Sequence, residues 1–229
     1  MLELKGLTIR QDDFSLQADA QFGAGFTTLI GPSGGGKSTL LDTIAGFITP
    51  SAGQVFWNGE NITGLAPAKR PVSILFQDNN LFPHLTITAN LALALTMKRP
   101  TEQQRSVIDR ALREVGLDGM GNRKPAELSG GQQGRAALAR VLLQDRPLML
   151  LDEPFAALGP ALRAEMLALV ARLAGQKGIA VIMVSHAPED ALRVAEETSV
   201  VADGRVTVPQ PTASLFDDPP DSLRAYLGT

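Results

Sequence analysis

The glycine-rich run at residues 31–39, Gly-Pro-Ser-Gly-Gly-Gly-Lys-Ser-Thr, constrains the fold of this chain more than any other feature. It follows the apolar run Phe26–Ile30 and leads into a helical pattern over Lys37–Ala45, so a strand, a loop and a helix are predicted in this order. The pattern G-x-x-x-x-G-K-[ST] is typical of loops whose backbone N–H groups surround phosphate oxygens. A flexible glycine-rich turn is the alternative, but the position between strand and helix favours a phosphate site.

The polar side chains of this loop have distinct expected roles. We expect Lys37 to reach the β- and γ-phosphates of a nucleotide and the Ser38 hydroxyl to bind Mg²⁺. The helix that follows adds its positive N-terminal end to the same site. The predicted nucleotide-binding residues of the loop are Gly31, Pro32, Ser33, Gly34, Gly35, Gly36, Lys37, Ser38 and Thr39.

Two acidic residues, Asp152 and Glu153, follow the apolar run at residues 148–151. In a parallel sheet, ligands gather at the carboxyl ends of the strands. We therefore expect Asp152 to hold Mg²⁺ through a water and Glu153 to polarise the attacking water and accept its proton. The alternative is a charged turn ahead of Pro154, which the phosphate loop upstream disfavours.

Strand and helix patterns alternate along the chain and predict an α/β fold with a mainly parallel sheet covered on both faces. Residues 2–30 are β-rich, residues 88–144 are mainly helical and suggest an inserted subdomain, and the tail after Val208 is predicted to hold one short helix. Later strands are predicted at residues 54–57, 72–76, 148–151, 179–184 and 199–202, and helices at 37–45, 90–97, 102–115, 131–144, 161–174 and 188–195.

The amino-acid composition argues against some classes of protein and excludes some kinds of site. A chain of 229 residues with 44% hydrophobic residues can form one domain with a buried core and a subdomain. A net charge of −3 argues against a nucleic-acid binder, and the lack of cysteine excludes disulfides and thiolate metal sites. With neither an apolar run long enough to span a membrane nor a signal-peptide core, we expect a cytoplasmic protein that acts on a membrane only through a partner.

A third motif, Leu-Ser-Gly-Gly-Gln at residues 128–132, lies between the phosphate loop and the acidic pair. Ser129 and the amides of Gly130 and Gly131 offer a second anion site at a helix start, and the simpler interpretation, a helix cap by Ser129, is compatible with it. With these motifs in this order, nearly the whole chain resembles the ATP-binding cassette of ABC transporters. The resemblance implies a P-loop NTPase fold with a RecA-like core and an antiparallel β N-terminal subdomain (1–86 and 146–229) and an inserted α-helical subdomain (87–145).

The resemblance also implies roles for individual residues. Ser129, Gly130, Gly131 and Gln132 would cap the γ-phosphate of ATP held by another subunit, which implies a head-to-tail homodimer with two ATP molecules and their Mg²⁺ at the interface. Gln77 would contact Mg²⁺ and the attacking water and sense a transmembrane partner, although a glutamine at a strand end is otherwise a surface residue. His186 would touch the γ-phosphate and help to hold Glu153, the alternative being a structural histidine. The implied catalytic residues are thus Glu153, His186 and Gln77, and the implied metal ligands are Ser38, Gln77 and Asp152.

Three positions depart from the family pattern. Gly159 stands where the family has an aspartate at the dimer interface, which leaves Glu153 for hydrolysis but puts communication between the two sites in question. Gly134 should weaken the start of its helix by about 1 kcal/mol relative to alanine. The family stacks adenine on an aromatic residue ahead of the phosphate loop, where Phe14 is a candidate, although a core position is favoured for it.

Within the family, a free-standing cassette resembles the subunits of bacterial importers. Residues 70–86 and 199–205 resemble thiamine importers, and the first 30 residues resemble molybdate importers somewhat more; thiamine is favoured. The implied partners are a transmembrane permease, received in a groove formed by Phe82, Pro83, His84 and Leu85, and indirectly an extracytoplasmic substrate-binding protein. The chain would then be peripheral at the cytoplasmic face of the inner membrane. A soluble ABC ATPase of DNA repair or translation, and a binding module that has lost catalysis, are the alternatives.

Overall fold

The structure, a computed structural model, describes residues 1–228, and these residues form one sheet with helices against it. The strands in chain order are β1 (Leu2–Gln11), β2 (Phe14–Phe22), β3 (Phe26–Ile30), β4 (Ala52–Trp57), β5 (Glu60–Asn61), β6 (Val72–Leu75), β7 (Leu148–Asp152), β8 (Ala180–Val184), β9 (Glu197–Ala202), β10 (Arg205–Val206) and β11 (Gln210–Pro211). The helices are α1 (Lys37–Ala45), α2 (Ile87–Ala92), α3 (Glu102–Glu114), α4 (Gly130–Leu142), α5 (Pro160–Lys177), α6 (Pro188–Val194), α7 (Thr212–Asp217) and α8 (Asp221–Leu227).

The strand that enters the phosphate loop lies inside a parallel part of the sheet. β3 pairs in parallel with β9 on one side and with β8 on the other, and β7 and β6 continue the parallel order. All five residues of β3 are buried, as expected for a strand covered on both faces. The carboxyl ends of these strands therefore meet at one edge, where the loop and the acidic pair were predicted to lie.

The N-terminal strands form an antiparallel extension of the same sheet. β1 pairs with β2 and with β4, and β4 pairs with β5, all antiparallel. In β2 the buried residues Leu16, Ala18, Ala20 and Phe22 alternate with exposed ones, which is the pattern of a sheet with one solvated face. β10 joins this extension to β9 of the parallel part.

The side chains of β7 divide between two hydrophobic clusters. Leu148 and Leu150 pack in a cluster with α1 and the N-terminal strands, whereas Met149 and Leu151 pack in a cluster with α2 to α5. Successive residues of a strand point to opposite faces, so one strand anchors both layers. The helices inserted between β6 and β7 share their core with the sheet, and the division of the chain at residues 87 and 145 stays a prediction.

Most predicted elements are confirmed, including a mainly parallel sheet, an antiparallel N-terminal part and a helix over Lys37–Ala45. The helix predicted at residues 90–97 is wrong in its bounds, because α2 begins at Ile87 and ends at Ala92. Thr86 caps it, accepting a hydrogen bond from the Ala89 amide at 3.2 Å. Asn90 is buried inside this helix and bonds to both the amide and the carbonyl of Phe82, a tertiary role that the sequence pattern does not display.

The prediction of one short helix in the tail is also wrong, because α7 and α8 are separate helices. Pro219 and Pro220 interrupt the helical pattern between them, since proline lacks the backbone N–H that a helix interior needs. None of the helices in residues 1–228 is long and apolar enough to cross a membrane.

Candidate functional site

The backbone of the phosphate loop requires glycine at two positions. Gly31 has a φ of 151°, and a Cβ placed there would lie 2.1 Å from the carbonyl oxygen of Val201. Gly36 has a φ of 96°, and its Cβ would lie 2.4 Å from the ring of Phe14. Any side chain at either position would displace the loop, because L-residues rarely adopt these angles and the space is already filled.

Helix α1 begins directly after Gly36, and no side chain caps its first turn. The first amides of a helix have no partner within the helix and carry a partial positive charge. These N–H groups are therefore available to phosphate oxygens in the loop, as the sequence predicts.

Lys37 lies at the start of α1 and is buried, 5% of its surface being exposed. Its Nζ donates hydrogen bonds to the carbonyls of Gly31 and Pro32 at 2.8 and 2.7 Å, which holds the ammonium group inside the loop. Burial lowers the pKa of Lys37, and the charges of Glu153 and Asp152 oppose this change. Phosphate oxygens would give the same group charged acceptors and stronger hydrogen bonds.

Ser38 and Asp152 bring two hard oxygen donors together. The Ser38 hydroxyl donates to Oδ1 of Asp152 at 3.0 Å, across the contact between α1 and the end of β7. Burial raises the pKa of Asp152, and the hydrogen bond from Ser38 acts in the opposite direction. A hydroxyl and a carboxylate side by side fit Mg²⁺, which prefers oxygen ligands and would offset the cost of burying this charge.

Glu153 and His186 form a close pair beside the loop, with Oε1 of Glu153 2.5 Å from Nε2 of His186. β7 and β8 are parallel neighbours that pair Asp152 with Val184, so the residues that follow them lie at the same edge of the sheet. Glu153 has a φ of 45°, and its amide donates to the carbonyl of Val184 at 3.3 Å. This turn directs the carboxylate towards His186 instead of continuing the strand.

A cavity of about 370 Å³ joins the loop to this pair. The lining residues are Gln11, Phe14, Ser33, Gly34, Gly36, Lys37, Ser38, Thr39, Glu153 and His186. Sequence reasoning missed Gln11, and it favoured a core position for Phe14, which in the structure packs on a core cluster and also lines the cavity. Gln11 and Phe14 flank the turn between β1 and β2. In the sequence, the only indication of their role is that this turn precedes the phosphate loop.

A buried polar cluster holds the segment around His186. The Ser185 hydroxyl donates to Oδ2 of Asp190 at 2.6 Å and accepts the Ala187 amide at 3.0 Å. Arg163, on α5, forms an ion pair with the same carboxylate. Sequence reasoning missed the roles of Arg163 and Asp190, because their contact joins two separate segments of the chain.

The third motif, residues 128–132, which we call the signature, lies apart from the cavity. Ser129 caps α4, and its amide donates to the side-chain oxygen of Gln132 at 3.0 Å. Ser129 and Gly130 are exposed, and no residue at 128–132 lines the cavity described above. The structure thus presents a solvent-facing helix start that could bind an anion from outside this chain.

Gln77 follows β6, whose register pairs Leu75 with Leu151. It therefore lies at the same edge of the sheet as the acidic pair, but its side chain is exposed and does not line the cavity. The next residues are held by α4, where Arg140 donates to the carbonyls of Asn80 and Asn79 at 2.7 and 3.1 Å. Sequence reasoning missed Arg140, whose pKa is lowered by burial.

A second groove, of about 470 Å³, opens beside this loop. Phe82 is 46% exposed in it, and Arg140 lies along one wall. Its other lining residues are Ala68, Ile74, Phe76, Asn80, Leu93, Ala94, Gln144 and Arg146. An apolar groove with a basic wall fits an amphipathic segment of another protein.

The chain is similar to known proteins in family pattern and in sequence. The pattern of the family described as ABC transporter matches residues 17–156. The thiamine import ATP-binding protein of Cereibacter sphaeroides is 60% identical, with 100% of both chains covered. The thiamine import ATP-binding protein of a Ruegeria species is 53% identical, again with 100% of both chains covered.

Solved structures with the same fold include proteins of known assembly. A part of an ABC transporter complex from Clostridium perfringens has a TM-score of 0.81 and 26% identity, covering 95% of this chain and 90% of that one. A dimeric ATP-binding cassette bound to ADP and Pi in a post-hydrolysis state has a TM-score of 0.78 and 27% identity, covering 93% of this chain and 99% of that one.

Proposed function

The chain belongs to the ABC transporter family, and from this premise we propose that it is the ATP-hydrolysing subunit of a bacterial importer of thiamine. The family and the cassette fold confirm the resemblance that the sequence motifs indicated. The observation that carries the proposal is the cavity in which Lys37 and Ser38 of the loop face the pair of Glu153 and His186. One site thus combines groups that bind phosphate with groups that can activate water.

Binding of ATP would use the loop and its neighbours. The amides of residues 33–39 and the Lys37 ammonium would surround the phosphates, and the ring of Phe14 at the cavity wall would stack on adenine. Ser38, Asp152 and Gln77 would hold Mg²⁺, which supplies charge neutralisation at the phosphate oxygens. The hydrogen bond from Ser38 to Asp152 supports this proposal, because it brings the hydroxyl and the carboxylate together.

Hydrolysis needs a base near the water that attacks the γ-phosphate. Glu153 would orient this water and accept its proton, since its carboxylate lies at the cavity wall. His186 would keep the carboxylate turned to the cavity, because its Nε2 lies 2.5 Å from Oε1 of Glu153. Catalysis in this class of reaction is mainly positioning and charge stabilisation, so small displacements of either side chain should lower the rate.

A second copy of the chain would complete the site. Ser129 to Gln132 lie outside the cavity of their own chain on an exposed helix start, and they would cap the γ-phosphate held by the partner. A dimeric cassette of the same fold supports this arrangement. The proposed dimer is head to tail, so each ATP contacts the loop of one chain and the signature of the other.

A permease would dock in the groove beside Phe82. Of the four residues 82–85 that were expected to form this groove, Phe82 lines it, and Pro83, His84 and Leu85 are not among its lining residues. Arg140 joins this groove to α4, whose other end carries the signature, so docking could be transmitted to the dimer interface. We place the chain as a peripheral subunit at the cytoplasmic face of the inner membrane, with an extracytoplasmic binding protein delivering the cargo. The names of two full-length relatives support thiamine as that cargo.

The ATPase proposal is tested with Glu153→Gln in the complex of this chain with its permease. The variant should bind ATP and hydrolyse it at least about a hundredfold more slowly, since general-base catalysis contributes roughly that much. Glu102→Gln, an exposed glutamate at the start of α3, is the matched control and should hydrolyse ATP like the wild type. Equal activity of the wild type and Glu153→Gln would contradict the proposal.

The cargo is tested by transport into vesicles that contain the complex and its binding protein. Labelled thiamine should accumulate with ATP and should not accumulate with Glu153→Gln. Uptake of molybdate in place of thiamine would overturn the assignment of cargo and leave the ATPase proposal intact.

A further inference from the structure

The C-terminal helix α8 is anchored against the strands that lead to the phosphate loop. Leu223 is fully buried in a cluster with Ile30, Val200 and Ala202, which belong to β3 and β9. Arg224 fixes the corner before the helix by donating to the Pro219 carbonyl at 2.7 Å. This helix is therefore a defined part of the fold beside the site.

From this helix the Tyr226 hydroxyl reaches the segment that carries His186. It donates a hydrogen bond of 2.5 Å to the backbone carbonyl of His186. Burial, together with the charges of Glu153 and Glu189, raises the pKa of Tyr226. The contact joins residues 40 positions apart in the sequence.

The segment at residues 185–187 is thus held from two sides. On one side Ser185 is bonded to Asp190, which pairs with Arg163. On the other side Tyr226 holds the carbonyl of His186. The imidazole between these two supports contacts Glu153, so a shift of the backbone would move the ring relative to the carboxylate.

We propose that Tyr226 is a positioning residue that keeps His186 in contact with Glu153 and thereby sets the rate of ATP hydrolysis. The inference rests on the proposed function of Glu153 and His186 and adds a residue that none of the sequence motifs contains. Tyr226 acts through the backbone of His186 and does not line the cavity itself. Its loss should therefore change the chemical step and leave ATP binding unchanged.

The kinetic test is Tyr226→Phe, which removes the hydroxyl and retains the ring. In the complex with the permease, kcat for ATP should fall about threefold to tenfold, as expected for one hydrogen bond, while KM for ATP stays within about twofold. An unchanged kcat, or a change in KM alone, would overturn the proposal.

A second readout does not depend on ATPase activity, so its failure is separable from failure of the proposed function. The chain has two histidines, His84 and His186, so a histidine-labelled full-length chain gives two sets of ring signals in NMR spectra. Tyr226→Phe should move the signals of His186 at fixed pH and leave those of His84 in place. Unmoved His186 signals would contradict the positioning role even if the chain proves to be an ATPase.

The control for simple packing is Phe216→Leu, because Phe216 packs against the same cluster as Leu223. This variant should retain the wild-type kcat and His186 signals; if it reproduces both effects of Tyr226→Phe, the role of Tyr226 is structural and the proposal fails. Tyr226 is also the single tyrosine of the chain, so fluorotyrosine labelling reports on it without any variant. A ¹⁹F signal at the position of free fluorotyrosine would show that the contact is absent and would overturn the proposal whether or not the variants fold.

Discussion

Asp152 is a carboxylate whose charged form is disfavoured by burial. Its carboxylate is half-buried at the end of β7, and its neighbours include a second carboxylate, Glu153, as well as Lys37. A carboxylate in such surroundings contributes less to folding than an exposed one. A Mg²⁺ ion held by Asp152 and Ser38, as proposed above, would offset this cost.

The effect of Asp152→Asn on the free energy of unfolding, measured in EDTA without nucleotide, should depend on pH. Burial raises the folded-state pKa of Asp152, so the unfolded chain loses its proton first, and the free energy of unfolding falls as the pH rises from the unfolded value through the folded one. Asp152→Asn should therefore be more stable than the wild type at pH 7, and its advantage should shrink as the pH falls towards the ordinary aspartate value of about 3.9.

Urea denaturation at several pH values measures this difference. Asp109→Asn, which makes the same charge change at an exposed position of α3, should show no comparable pH-dependent gain. A variant at Asp152 that is less stable than the wild type at pH 7 would contradict the prediction.

The ring of Phe14 is expected to contribute to ATP binding. Phe14→Ala removes the aromatic wall of the cavity and should raise KM for ATP about fivefold, since a stacked ring contributes on the order of 1 kcal/mol. Phe14→Tyr keeps the ring and should retain the wild-type KM. ATPase titrations of both variants decide the matter, and an unchanged KM in Phe14→Ala would remove Phe14 from the site.

Among the helices, α4 carries the signature residues at its start and, close behind them, a glycine that lowers its helix propensity. Its capping box, made by Ser129 and Gln132, satisfies the amides of these two residues. Gly134 follows within the first turns, and a Cβ there would lie 3.6 Å from Met166 and 3.7 Å from Phe155, which are ordinary contact distances. The sequence predicts a weak helix start, and the structure adds that the position has room for a methyl group.

Gly134→Ala should therefore raise the free energy of unfolding by about 1 kcal/mol, since alanine has the higher helix propensity. Gly175→Ala, on an exposed position of α5 with open space around it, isolates the gain from propensity alone. Chemical denaturation measures both variants. A loss of stability in Gly134→Ala, with a gain in Gly175→Ala, would mean that α4 packs more tightly than its contact distances indicate.

The predicted and observed helices differ at α2 and in the C-terminal tail. The sequence predicts the bounds of α1 and α3 well, because a cap and an apolar periodicity are local signals. Thr86 caps the start of α2, which is a local signal that the predicted bounds overlooked, and Asn90 of this helix bonds to Phe82. The position of α8 depends on the burial of Leu223 against distant strands, and patterns along the chain do not contain that contact.

In the whole molecule the signature lies apart from the phosphate loop. We therefore expect ATP hydrolysis to need the loop of one chain and the signature of another. Lys37→Ala and Ser129→Arg should each abolish ATPase activity when every subunit carries the change. Mixed dimers should regain activity, because the loop of the Ser129→Arg chain meets the intact signature of the Lys37→Ala chain. ATPase assays on co-expressed, doubly tagged dimers measure this, and no recovery would indicate that each chain uses its own signature.

The phosphate loop, the acidic pair, the signature and the alternation of strands and helices can all be predicted from the amino-acid sequence. These features depend on local requirements, such as glycine at residues 31 and 36 and an apolar strand before the acids, which a chain displays in order. The family resemblance implied that His186 holds Glu153 and offered Phe14 as a candidate, and the structure adds the contact of the pair and the place of Phe14 at the cavity wall. That Gln11 lines the cavity and that Tyr226 donates to the carbonyl of His186 is visible in the tertiary structure alone. These contacts follow from the parallel register of β7 with β8 and from the packing of α8 on β9, and neither register nor packing is encoded in any one segment of the sequence.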